Sequence, residues 1–133
     1  MEAEDLMIGD WVECTYWKPS KRLRVAEIRR VMDDETKIGV YYDELVLVFK
    51  QREIEPIPLT PEILEKNGFK QDKYGNYLLE EDLGESEIWL YLQQTTSIAD
   101  FWCTVSETVV RMNHVHQLQH ALSLCGSEKQ III

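Results

Sequence analysis

Over most of the chain, apolar and polar residues alternate with a period of two, which predicts strands rather than helices. A strand opens after Gly9-Asp10, with Val12, Cys14 and Tyr16 on one face and Trp11, Glu13, Thr15 and Trp17 on the other. Lys18-Pro19-Ser20-Lys21 reads as a turn, because proline presets φ and donates no ladder hydrogen bond. A second strand runs from Leu23 to Val31, and its apolar phase slips between Val25 and Ile28, as a β-bulge requires. Asp33-Asp34-Glu35 makes the next turn. Ile38, Val40 and Tyr42 then alternate, Asp43-Glu44 interrupts, and Leu45, Leu47 and Phe49 form a further strand face.

The pattern breaks at Ile54-Glu55-Pro56-Ile57-Pro58-Leu59, where two prolines enforce an extended connector. Thr60-Pro61-Glu62 is a helix start: an N-cap hydroxyl, proline at the first helical position, and a carboxylate at the positive helix end. Asn67-Gly68 ends that helix after about two turns. Alternation then returns. A turn at Tyr74-Gly75-Asn76-Tyr77 precedes Leu78-Leu79; Ile88, Leu90 and Leu92 alternate with Trp89, Tyr91 and Gln93; further strands fall near 101–105 and 108–112. From about Asn113 to Leu124 the period changes to a helical one, with Val115, Leu118, Leu122 and Cys125 on one stripe and Gly126 as the stop.

These elements predict an α+β fold, mostly β. Residues 1–58 form a small barrel or curved sheet, and Ile8-Gly9-Asp10-Trp11-Val12 followed by Val25 and Ile28 resembles the first two strands of an SH3-like barrel. Residues 59–133 supply the short helix and a second antiparallel sheet packed by the C-terminal helix, the whole making one compact unit. The final Gln130-Ile131-Ile132-Ile133 could add an edge strand, bind a second subunit or fray.

Composition narrows the function. At 133 residues with 44% hydrophobic and 29% charged residues, the chain is long enough for an ordinary globular core. No apolar run approaches the roughly 20 residues that span a bilayer, and the acidic N-terminus is unlike a secretory signal. A soluble cytoplasmic protein with no membrane partner is expected. The three cysteines, Cys14, Cys103 and Cys125, are far apart and odd in number, which fits buried reduced thiols. A net charge of −10 argues against nucleic-acid binding in general. The charge is uneven, however. Lys18, Lys21, Arg22, Arg24, Arg29 and Arg30 cluster, whereas 80–87 are strongly acidic. Each reads first as a solvated face; the functional alternatives are a nucleic-acid patch at Arg22, Arg24, Arg29 and Arg30, and an acidic docking patch.

Candidate chemistry is sparse. His114, His116 and His120 share one stretch, and His116 and His120 are four apart, so a helix would make them neighbours. They sit off the apolar stripe with no third ligand at metal spacing, so exposed or rim histidines, and no metal, are expected. Cys125 lies near His120 but on the apolar stripe, where it acts as a small hydrophobe rather than a nucleophile. No phosphate-binding Gly-rich loop, nucleophile elbow or zinc-protease motif occurs, and no cofactor is implied. The strand aromatics remain. Trp11 and Trp17 fall on one face, Trp89 and Tyr91 on another. Few spare layers in a chain this short favour covered faces; an open one would be a binding surface.

Two segments are similar to small uncharacterised proteins of bacterial prophages and mobile elements. They are Glu55-Pro56-Ile57-Pro58-Leu59-Thr60-Pro61-Glu62-Ile63-Leu64-Glu65-Lys66-Asn67-Gly68-Phe69 and Val115-His116-Gln117-Leu118-Gln119-His120-Ala121-Leu122. The resemblance spans most of the chain and implies phage or mobile-element biology in a bacterial cytoplasm. It implies no activity and no catalytic residues. The expectation is therefore a non-enzymatic module for an unidentified protein partner, with a second copy of the chain also open as a partner.

Overall fold

The structure is a computed structural model that describes residues 5–29, 36–79, 87–93, 98–103 and 108–133, with the backbone alone at 92, 93 and 108. The chain divides into two compact units, Met1–Ile57 and Pro58–Ile133. The fold is α+β and mostly β, with two five-stranded antiparallel sheets and two helices.

The first unit holds β1 (Trp11–Cys14), β2 (Lys21–Arg29), β3 (Lys37–Tyr42), β4 (Leu45–Lys50) and β5 (Ile54–Pro56), in the order β4-β3-β2-β1-β5. The expected slip in β2 is a register shift between Val25 and Glu27. It keeps Val25 and Ile28 both on the buried side, opposite Val40 and Ile38. Alternation puts Val12, Cys14, Val25, Ile38, Val40 and Phe49 into one core with Leu6 and Ile54. Gly39 faces away from that core. A Cβ there would collide with the Glu27 side chain and lie 2.9 Å from Val46 Cγ1, so only glycine lets Glu27 cross the strand to meet Arg29 at 2.8 Å.

β1 ends at Cys14, so the strand alternation expected to carry Trp17 onto the face of Trp11 stops short of it. The chain turns there, and Trp17 packs back against the core. Its ring stacks on Tyr42 at 5.4 Å and meets Phe49 at 5.4 Å and Tyr16 at 5.5 Å. The Lys21 ammonium lies 4.8 Å and 5.1 Å from the Tyr42 and Trp17 ring centres.

The second unit begins with α1 (Pro61–Lys66). Its N-cap Thr60 accepts a hydrogen bond from the Ile63 amide at 3.3 Å, and Gly68, at φ +85°, takes the left-handed conformation after its end. The sheet is built from β6 (Lys70–Gln71), β7 (Asn76–Leu79), β8 (Ile88–Gln93), β9 (Ile98–Cys103) and β10 (Thr108–Met112), in the order β10-β9-β8-β7-β6. Tyr77, Leu79, Ile88, Leu90, Ala99, Phe101, Cys103 and Met112 make its buried face. α2 (Val115–Leu124) contacts β10 and buries Val115, Leu118, Ala121 and Leu122.

The C-terminal isoleucine run neither frays nor adds a strand. Asn67, itself buried, uses its whole side-chain amide to hold it. The Asn67 Nδ2 donates to the Ile132 carbonyl and to the Ile63 carbonyl, each at 2.7 Å, while Oδ1 accepts from the Ile132 amide at 2.7 Å. One side chain thus satisfies a helix-end carbonyl and both polar groups of a tail residue, which lets Ile131 stay buried beside them. Asn67→Ala should cost about 3 kcal/mol, since it removes three hydrogen bonds and each is worth about 1 kcal/mol. A urea titration measures the loss, and hydrogen exchange at the Ile132 amide should accelerate with it.

Candidate functional site

The outer face of the second sheet gathers what the period-two alternation leaves on the side opposite its buried residues. Fixing Cys103 and Phe101 inward turns Trp102 outward, and Leu90 inward does the same for Trp89 and Tyr91. Register then aligns these residues. Val109 lies opposite Trp102, Trp102 opposite Trp89, Trp89 opposite Leu78, and Leu78 opposite Lys70, one transverse row across all five strands. A second row runs Arg111, Asp100, Tyr91, Asn76. Val109 is 67% exposed, Trp102 43% and Tyr91 45%, while Trp89 and Leu78 are half-buried between them. The face is open.

Charge frames this apolar strip rather than interrupting it. Arg111 Nε donates to Asp100 Oδ1 at 3.1 Å, so the neighbouring row presents a paired cation and anion beside Tyr91. At the other end, Gly68, Lys70, Gln71, Asp72 and Leu78 line a cavity of about 250 Å³. Asp72 Oδ1 accepts from the Tyr74 and Asn76 amides at 2.8 Å and 3.0 Å, which fixes the turn beside this cavity. The surface combines large aromatic area with a polar rim.

The predicted site residues separate. Trp89 and Tyr91 share the open face with Trp102 and Val109, which sequence reasoning did not assign to a site. Trp102 alternates with Phe101 and Cys103 and could have been placed outward, but its pairing with Trp89 is a matter of register. Trp11 is on the outer face of the first sheet beneath the Arg24 guanidinium, 5.9 Å from its ring centre, whereas Trp17 caps the core. Those two form no common surface, because β1 ends before it reaches Trp17.

The basic residues of β2 have local partners. Arg22 lies 3.8 Å from Glu13, Arg29 pairs with Glu27, and Arg24 Nε donates to the Gly9 carbonyl at 3.3 Å. Arg30 and the acidic stretch at 80–86 lie outside the described residues.

The histidines differ from expectation. His116 is buried, at 4% exposure, rather than on the rim. A helix ten residues long buries a wider arc here than the single apolar stripe. The His116 ring lies 5.7 Å from His114 and 5.6 Å from His120, centre to centre. Among the described residues, no group of three His, Cys, Asp or Glu side chains is placed to hold a metal ion. The cysteines are buried, and Cys14 is pushed up to about 12 by burial and then by Glu53 and Glu13, so its thiol stays protonated and a poor nucleophile. No helix among the described residues is long and apolar enough to cross a membrane.

Compared with family models, with curated proteins and with solved structures, the chain finds no match in any of the three.

Burial holds His114 below the usual imidazole range. The unfolded chain therefore binds a proton there more readily than the folded one. Stability from this group is intact above the ordinary histidine pKa of about 6.5 and falls as pH drops below it. His114→Gln should flatten the fall in urea midpoint between neutral pH and pH about 5, the interval in which an ordinary histidine titrates. An equally steep fall in the variant would place the acid sensitivity elsewhere.

Proposed function

We propose that the protein is a non-enzymatic interaction module whose second unit docks a partner protein on the outer face of its sheet. One observation carries this reading: Val109, Trp102, Trp89 and Leu78 stand side by side across four strands, with Val109, Trp102 and the adjoining Tyr91 open to solvent. Leaving such a strip in water forgoes the stabilisation that burial gives elsewhere, about 25 cal/mol per Å² of apolar surface. A partner that covers the strip recovers that stabilisation. Trp and Tyr are also the side chains that concentrate binding energy at protein interfaces.

The resemblance to small prophage and mobile-element proteins supports a bacterial setting with a host or element protein as partner. The strand order β4-β3-β2-β1-β5, with β5 closing back on β1, supports an SH3-like reading of the first unit. The Arg22, Arg24 and Arg29 surface is the weaker candidate for a second function in nucleic-acid association, because two of its three guanidiniums are ion-paired and all three have local partners.

A photo-crosslinking residue at position 109, in the full chain expressed in bacterial cells, should trap one discrete protein. Trp102→Ser should weaken that complex by about 30-fold, the scale of an interface hot spot of about 2 kcal/mol. No crosslink from position 109, or an undiminished one in Trp102→Ser, would overturn the reading.

A further inference from the structure

Sheet edges are where β proteins are vulnerable to strand addition, and three of the four edges here are guarded. β5 has three residues and ends in Pro56, β6 has two residues, and β10 carries the exposed cation Arg111. β4 is different. It is six residues long, contains no proline, has its one cation, Lys50, at the last position, and exposes Leu45, Val46 and Val48 at 62%, 45% and 38%.

The hairpin geometry tells which backbone groups of β4 face outward. Tyr42 pairs with Leu45 across the two-residue loop Asp43-Glu44, so this pair exchanges its hydrogen bonds directly. Alternation along the ladder then makes Val40–Leu47 and Ile38–Phe49 the other bonded pairs. The N–H and C=O groups of Val46 and Val48 consequently point away from β3, to the edge.

We propose that β4 pairs antiparallel with β4 of a second copy of this chain, about a two-fold axis at Leu47. The sequence of this strand is self-complementary in that one register. With Leu47 opposite Leu47 of the second copy, Val46 falls opposite Val48, Leu45 opposite Phe49, and Glu44 opposite Lys50. Each unlike pair occurs twice and the Leu47 pair once, on the axis, as an isologous contact requires. Val46 and Val48 then exchange hydrogen bonds through the very groups that face the edge, while Leu47 occupies the closer, non-bonded pair. Leu45, the most exposed apolar side chain of the strand, gains Phe49 as a neighbour on the core side.

Charge selects this partner and this register. An antiparallel slip by two residues would move Glu44 away from Lys50 and place either Lys50 opposite Val46 or Glu44 opposite Val48. The in-register row Arg29, Lys37, Lys50 sets three cations side by side on the outer face at this end of the sheet. Opposed like charges destabilise a sheet, and Glu44 of the second copy adds an anion next to that row. The contact lies wholly within the first unit and is independent of the docking face of the second.

Sedimentation velocity on the full chain, from micromolar to millimolar concentration, should show a reversible monomer–dimer equilibrium. Glu44→Lys and Lys50→Glu should each weaken dimerisation about tenfold, since each turns two attractive cross-strand pairs repulsive. The double exchange should restore it to within about threefold of the original, because the pairs are then re-formed with their signs swapped. Val48→Pro, which removes an edge N–H without touching the β3 ladder, should leave a folded monomer by near-ultraviolet circular dichroism. A chain that stays monomeric throughout, or single charge reversals that leave the dimer intact, would overturn the proposal. So would a double exchange that fails to restore it.

Discussion

Period-two alternation, pinned by register, is the constraint on which both the core and the surface of this protein depend. In the second sheet, Phe101 and Cys103 cannot be buried without turning Trp102 to the other side, and Leu90 does the same to Trp89 and Tyr91. A slip of one residue in any strand would exchange the two faces, placing tryptophan inside and phenylalanine in water. Core and outer face are therefore one specification. A residue such as Phe101, wholly buried, sets the side of the sheet on which Trp102 stands.

Polar groups settle what alternation leaves open. The tail is held by a side chain acting as backbone: the Asn67 amide presents a donor and an acceptor to Ile132 at the spacing a neighbouring strand would offer. That device works because Asn67 is buried at the end of α1, where the carbonyl of Ile63 accepts from both its backbone N–H and its side-chain Nδ2. In the first unit, Gly39 has the corresponding role in reverse. Its missing side chain leaves room for Glu27 to lie across β3 and reach Arg29. Buried polar contacts such as those of Asn67 contribute little net stability but are costly to break.

The two sheets treat their exposed apolar residues differently. In the second, Val109, Trp102 and Tyr91 lie on one face, running inward from the edge strand β10. In the first, Leu45, Val46 and Val48 lie along the edge strand β4, where backbone groups as well as side chains face solvent, with Tyr41 beside them on β3. A face recognises shape and apolar area, whereas an edge recognises another strand. That distinction follows from which residues the ladders use.

Much of this molecule is legible in its sequence. Thr60-Pro61 and Asn67-Gly68 mark both ends of α1 because capping is local chemistry. The slip between Val25 and Ile28 announces the bulge. Trp17 was misplaced because alternation holds only while the strand lasts, and nothing local shows that β1 stops at Cys14. His116 was misplaced because one apolar stripe does not reveal how much of a helix its surroundings will cover. The sequence by itself determined the mostly-β composition and the aromatic wealth of the strands, since propensity, capping and turn chemistry act over a few residues. Only the tertiary structure decided which aromatics stand together, because the register of Val109, Trp102, Trp89 and Leu78 is fixed by long-range pairing that no local signal encodes.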